Sequence, residues 1–170
     1  AFDGDAVLFD PASQHVYDEQ GLDAFHAHEA EHQDEPMSPG PFRDFLDGLA
    51  RIQAHFGATS PVRTALVTAR AAPAHYRVVN TLRAWGVNVD ETYFLGGVEK
   101  TEVLRAFGAH ILVDDLRVHA VRAATTVPAA QVLWSEDDLP PAQAAKRAAS
   151  VKGRGRSRSG SKAKKPITPR

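Results

Sequence analysis

The sequence predicts an α/β domain: a parallel sheet flanked by helices, with a small helical cap segment and a disordered tail. Two observations carry the sheet. Short apolar runs bounded by turn residues alternate along the chain with longer stretches whose apolar residues recur at three and four. That alternation is the mark of parallel strands joined by helical crossovers. The polar residues and pairs of interest also follow the ends of those runs, and open parallel sheets hold their ligands at the carboxyl ends of strands.

The opening run, Ala1 to Phe9, reads as a strand carrying Asp3-Gly4-Asp5, with Phe2 and Phe9 in the core. In an extended chain, residues two apart point the same way. Asp3 and Asp5 would then crowd one site, where like charges resist ionising together and a bound cation relieves the repulsion. Asp10-Pro11-Ala12-Ser13 breaks the strand. From Gln14 to about Gln33 the pattern is helical and polar, with Val16, Tyr17, Leu22 and Phe25 as its few apolar points. Three prolines within Glu35 to Pro41 exclude helix and central strand. Phe42, Phe45, Leu46, Leu49 and Ile52 recur at helical spacing, predicting an amphipathic helix that ends near Gly57.

Val62 to Val67 is a short apolar strand that stops at Thr68-Ala69-Arg70. Tyr76 to Trp85 is a helix with Gly86 as its stop. Val87–Val89 and Tyr93–Leu95 are brief extended pieces before Gly96-Gly97, and Lys100 to Phe107 is a short helix. His110 to Val113 is a strand running into Asp114-Asp115. Val118 to Ala124 is a helix, and Ala130 to Trp134 is the last strand. The polar strand ends therefore converge on one crevice: Asp3 and Asp5, then Thr68, then Asp114 and Asp115.

Length and composition fit one domain, 1–136, with residues 14–35 as its cap segment, followed by a linker and basic tail over 137–170. A net charge of -1 gives the whole molecule no bias toward nucleic acid or membrane. The absence of cysteine removes disulfides and thiolate chemistry. No apolar run approaches the roughly 18 residues of a membrane span, so a cytoplasmic location with no membrane partner is the expectation. The chain begins without Met directly on the acidic motif, which suggests a part of a longer protein. Lys152 to Arg170 lacks acids and hydrophobic periodicity, predicting disorder and at most weak, non-specific nucleic-acid contact.

His28-Glu29-Ala30-Glu31-His32 satisfies the His-Glu-x-x-His zinc pattern. Its acidic, polar surroundings and the nearby Pro36 argue against a buried metal helix, so a solvated helical face of the cap is expected. Taken singly, Thr68 is a routine strand-end hydroxyl, Lys100 a solvated charge and Arg70 an exposed cation.

Jointly, the order Asp3-x-Asp5, Thr68, Lys100, Asp114-Asp115 resembles the haloacid dehalogenase superfamily of phosphohydrolases. Phe2 to Phe9, Leu66-Val67-Thr68-Ala69-Arg70, Thr81 to Gly86 and Val113-Asp114-Asp115 look like the cytosolic type I 5′-nucleotidases. Members of that family carry a further amino-terminal half that these 170 residues do not include. The resemblance implies a Rossmann-like core and hydrolysis of nucleoside 5′-monophosphates through an aspartyl phosphate. Asp3 would be the nucleophile and Asp5 the acid and base. Thr68, Ala69, Arg70 and Lys100 would bind the substrate. Mg²⁺ would be held by Asp3, Asp114 and the Asp5 backbone carbonyl, with Asp115 in support. A homo-oligomer is compatible with it. Two alternatives stay open: a phosphatase for another small phosphomonoester, and a catalytically silent domain whose basic tail binds nucleic acid.

Overall fold

The computed structural model describes residues 1–133. Helices α1 (Ala12–Gln20), α2 (Leu22–Glu31) and α3 (Arg43–Phe56) precede strand β1 (Ala65–Thr68). Then come α4 (His75–Trp85), β2 (Glu91–Phe94), α5 (Thr101–Phe107), β3 (Leu112–Asp114), α6 (Arg117–Ala123) and β4 (Ala129–Gln131). Trp134 and the expected linker and tail lie outside the described residues.

The sheet is parallel throughout. β1 pairs with β2 in the register Leu66 to Thr92, and β3 with β4 in the register Val113 to Ala130. The amino-terminal segment joins the two halves, because Phe2 bridges Leu66 on one side and Val113 on the other. Ladder bonds from Phe2 N–H to Ala65 O (2.9 Å) and from Asp3 N–H to Val113 O (2.8 Å) hold it in the middle. Residues 1–3 are therefore the central strand, with the order β2, β1, residues 1–3, β3, β4.

That strand is shorter than the sequence suggests. After Asp3 the chain leaves the sheet in a wide turn over Gly4–Leu8, closed by Phe9 N–H to Gly4 O at 3.0 Å. Ala6 adopts a left-handed φ of 58° within it. Val7, Leu8 and Phe9 are fully buried, which is why their run looks like a strand, but burial here comes from the proline-rich loop instead. Gly40 N–H donates to Leu8 O (2.8 Å) and Phe42 N–H to Val7 O (3.0 Å), and Phe9 bridges Pro39 antiparallel. The approach at Gly40 is so close that a Cβ there would stand 2.5 Å from the carbonyl oxygens of Val7 and Phe9. Only glycine fits.

The polar helix expected over 14–33 is two helices. Gly21, at φ 86°, breaks it in a conformation that residues with a side chain rarely adopt.

Both faces of the sheet are covered. Phe2, Leu66, Leu46, Val78 and Leu82 form one core under α3 and α4. Ala65, Val67, Leu104, Leu112 and Ala123 form the other under α5 and α6. Successive β1 residues alternate between the two, as a strand buried on both faces must. Truncating the fully buried Leu46 or Leu66 to Ala should cost about 2–5 kcal/mol. The apolar stripe of α3 is wider than the surface it covers, since Phe45, Ile52 and Phe56 remain exposed. Among the described residues, no helix is long and apolar enough to cross a membrane.

Candidate active site

The register decides what meets at the carboxyl end of the sheet. Phe2 is the bridge partner of both Leu66 and Val113, so the residues that follow, Asp3 and Asp114, emerge side by side, with Thr68 ending the strand beyond. The loop after β2 is tied to the loop after β1 by Leu95 N–H to Thr68 O (2.9 Å), Gly96 N–H to Arg70 O (3.3 Å) and Gly97 N–H to Ala69 O (3.1 Å). Those bonds lead the chain to Lys100, immediately before α5, which is only 4% exposed. Its ammonium donates to Asp3 Oδ1 and Asp114 Oδ2, both at 2.6 Å. The lysine that looks solvated in the sequence is buried between two carboxylates.

Asp3, Asp114 and Asp115 each bring a carboxylate oxygen within 4.8 Å of the others'. Three acids around one ammonium leave two negative charges without a partner when all are ionised. The acids respond to that crowding. Burial, with Asp114 adding to it and Lys100 opposing, pushes Asp3 up to about 6. Burial and the neighbouring Asp3 and Asp114 push Asp115 up to about 7. Asp114 is held below its usual range: burial works against it, but His119, Lys100 and the Leu116 N–H prevail. Lys100 is raised, its burial outweighed by Asp3 and Asp114. Hard oxygen donors with excess negative charge are what a divalent cation requires, so the residues present fit one. The carboxylate of Asp115 belongs to this group, and the carboxylate of Asp5 does not.

Asp5 faces elsewhere. The turn after Gly4 delivers it to Arg70, whose Nε and Nη2 donate to its two carboxylate oxygens at 2.8 and 2.6 Å. Arg70 Nη1 donates to Glu29 of α2. Glu29 also accepts from Ser13 Oγ (2.7 Å) and from Arg77 Nη1 (3.0 Å). Arg70 is 4% exposed and lies 5.1 Å over the Phe25 ring, so the exposed cation expected here is a buried clamp on Asp5. Glu29, 1% exposed, likewise corrects the expectation of a solvated His-Glu-x-x-His face. Its two histidines stack on one another at 4.4 Å, and His32 Nδ1 is hydrogen-bonded to the His28 carbonyl at 2.8 Å. Arg70 is raised further: Asp5 and Glu29 overcome its burial. Glu29 is lowered: burial opposes, and Arg70, Ser13 and Arg77 prevail.

Thr68 is buried, and its hydroxyl oxygen accepts the Arg70 N–H at 3.3 Å. Gly4 lets the backbone pass it, since a Cβ there would stand 3.3 Å from that oxygen. Ala69 contributes only its carbonyl to the loop tie. Four participants escape the sequence reading: Ser13, Glu29, Arg77 and His119, whose Nδ1 stands 3.4 Å from Asp114 Oδ1. The one available signal is an acid in a helix that is otherwise called solvated, and it does not name its partner.

An acidic crevice at the carboxyl ends of a parallel sheet, with a lysine buried among its carboxylates, stands where open α/β sheets place their ligands. The family model described as 5′-nucleotidase matches residues 1–138, and the chain belongs to that family. It is 44% identical over 125 residues to cytosolic 5′-nucleotidase 1B of Homo sapiens, an alignment covering 70% of this chain and 20% of that protein. The chain therefore spans about a fifth of the length of this curated relative. No solved structure matches it significantly.

Proposed function

We propose that this domain carries the catalytic site of a Mg²⁺-dependent 5′-nucleotidase of the haloacid dehalogenase type. The substrates are nucleoside 5′-monophosphates, AMP- or IMP-like, and the products are nucleoside and phosphate. The observation that carries the reading is the position of Asp3: a strand-end carboxylate hydrogen-bonded to a buried Lys100 and crowded by Asp114 and Asp115. Family membership supports the same reaction.

Asp3 attacks phosphorus, and the P–O5′ bond breaks with its electron pair going to the ribose oxygen. Asp5, protonated from solvent with one oxygen released from Arg70, gives the ribose oxygen a proton and later accepts one from the water that hydrolyses the aspartyl phosphate. Lys100 and Thr68 bind phosphoryl oxygens where negative charge develops. Arg70, with its fork engaged by Asp5 and Glu29, contributes to the substrate through Asp5 rather than by touching it. Asp3, Asp114 and Asp115, with the Asp5 carbonyl, would hold Mg²⁺. That ion would screen the repulsion between an anionic nucleophile and an anionic phosphate. We assign the activity to the cytoplasm, following the printed name of the human relative.

The test is phosphate release from a panel of nucleoside 5′-monophosphates, with Mg²⁺ and with chelator. Metal-dependent release favouring a nucleotide supports the proposal and names the base. Release from generic phosphomonoesters alone retains the chemistry and removes the substrate. No release from any of them rejects it.

A further inference from the structure

We propose that Glu29 of α2 is a positioning residue for the general acid: it fixes Arg70, and Arg70 fixes the carboxylate of Asp5. The inference rests on the nucleotidase reading and names a part of the machinery that reading does not contain.

Each bond in the chain removes a freedom from the next group. Ser13 and Arg77 hold Glu29 Oε1 from two directions, at 2.7 and 3.0 Å. Glu29 Oε2 then takes Arg70 Nη1, while the Phe25 ring lies beneath the guanidinium and Met37 Sδ stands 3.5 Å from Nη2. A guanidinium gripped on one edge presents its other edge in one plane. That edge makes the bidentate contact with both Asp5 oxygens. Asp5 sits in a turn, with Ala6 next to it at φ 58°, so its backbone alone does not fix the direction of its carboxyl group.

A purely structural explanation is weaker. Buried ion pairs are commonly no more stabilising than apolar residues of the same volume. This one gathers two acids and two guanidiniums, drawn from α2, α4 and two loops, with a hydroxyl from α1, and it ends on Asp5, the acid that the proposed mechanism uses toward the leaving oxygen. The helical pair α1–α2 is then more than a cover, because two of its side chains set the aim of a proton donor 24 residues away in sequence from Glu29.

Leaving-group chemistry separates positioning from stability. Ribose O5′ departs as a poor leaving group and needs the Asp5 proton as the P–O bond breaks. Nitrophenolate and acetate depart without one. The full chain carrying Glu29→Gln should lose about 30- to 100-fold in kcat on AMP, the scale of a small misplacement of a reacting group. On nitrophenyl phosphate the pre-steady-state burst of nitrophenolate, a step that draws no proton from Asp5, should slow less than about threefold, whereas steady-state turnover also calls on Asp5 as base for the shared aspartyl phosphate. Thermal unfolding is followed in parallel. A nitrophenolate burst slowed as much as AMP turnover, or no loss on AMP, would overturn the proposal. If Glu29→Gln does not fold, Ser13→Ala carries the test, since it removes only a hydroxyl's hydrogen bonds to Glu29 and Arg77 and keeps every charge. Its ratio of AMP turnover to nitrophenolate burst rate should fall about fivefold, and an unchanged ratio overturns the inference alone. A wild-type chain inert on all these substrates would overturn the nucleotidase reading and this inference with it.

Discussion

Two ionic clusters sit at the same end of the sheet, and they are built on opposite principles. Around Lys100, three acids share one ammonium and two of them are pushed toward neutrality. Around Arg70, two acids meet two guanidiniums, and Glu29 is held below its usual range. The first cluster carries more negative charge than its one ammonium balances. The second is closed on itself. In the proposed mechanism the imbalance lies where metal and phosphate go, and the balance lies where geometry is held. Asp3 and Asp5, two residues apart, belong to different clusters because the chain turns at Gly4 instead of continuing as a strand.

The largest effect should come from the proposed nucleophile. Asp3→Asn keeps the shape and removes the charge, and turnover should fall by about a thousandfold or more. Stability in chelator should hold or rise, since one of three crowded acids is gone. Near-normal turnover in this variant would end the proposed mechanism.

Next in size are the two cations, which sharpen the comparison through rescue. Lys100→Met and Arg70→Gln each leave buried acids without their partner, at a cost of about 3–5 kcal/mol in chelator. Millimolar Mg²⁺ should restore much of the loss for Lys100→Met, because it can stand where the ammonium stood among oxygen donors. It should restore little for Arg70→Gln, where Asp5 loses its fork and Glu29 keeps Arg77 and Ser13. Unfolding midpoints with and without Mg²⁺ decide the matter, and equal rescue of both variants would erase the distinction between the clusters.

A smaller effect follows from pH. Asp3 and Asp115 have folded values near 6 and 7, above the ordinary aspartate value of 3.8, so the folded state holds protons that the unfolded chain has already released. Their contribution to stability is full below that ordinary value and is lost as pH rises through 6 to 7. Glu29 runs the other way: its value is depressed, so its contribution is present above the ordinary glutamate value and is lost as pH falls through the depressed one. In chelator, stability should therefore decline from about pH 5 toward 8. Mg²⁺, which favours the ionised carboxylates, should flatten that arm and leave the acid arm alone. Matching profiles in chelator and Mg²⁺ would contradict a metal site at Asp3 and Asp115.

How much of this could be read from the chain depends on the range of the interaction concerned. Asp3, Thr68 and Asp114 are legible because strand ends follow from local patterns, and parallel topology brings strand ends together. The helices around Phe42, Tyr76 and Lys100 fall within a residue or so of their expected starts for the same reason. Apolar burial is ambiguous about conformation, so Val7-Leu8-Phe9 reads as strand while the structure makes it part of a turn under the proline-rich loop. Arg70 and Glu29 are 41 residues apart, and Arg70 and Asp5 are 65 apart. No periodicity encodes which surface-like charge finds which partner at such separations. A residue-by-residue prior places Arg70, Glu29 and Lys100 in solvent, and tertiary pairing overrides it in all three.

The smallest expected effect concerns His119, which touches the cation-poor cluster from outside. Its Nδ1 stands 3.4 Å from Asp114 Oδ1, an ion-pair separation, and that oxygen accepts the Leu116 N–H at 2.9 Å. The other Asp114 oxygen is bonded to Lys100, so the carboxylate is oriented from both sides. Partners that orient a ligating carboxylate commonly account for 10- to 100-fold in metal affinity. Here the backbone donor shares the same oxygen and survives the substitution, which places His119→Ala at or below the low end, about three- to tenfold weaker for Mg²⁺. The stabilisation of the unfolding midpoint across a Mg²⁺ titration measures this directly, without turnover. His119→Asn should recover part of the loss, since its amide can donate to the same oxygen. Affinity unchanged in His119→Ala would mean that the Leu116 N–H and Lys100 orient Asp114 by themselves, and that the crevice needs no support from α6.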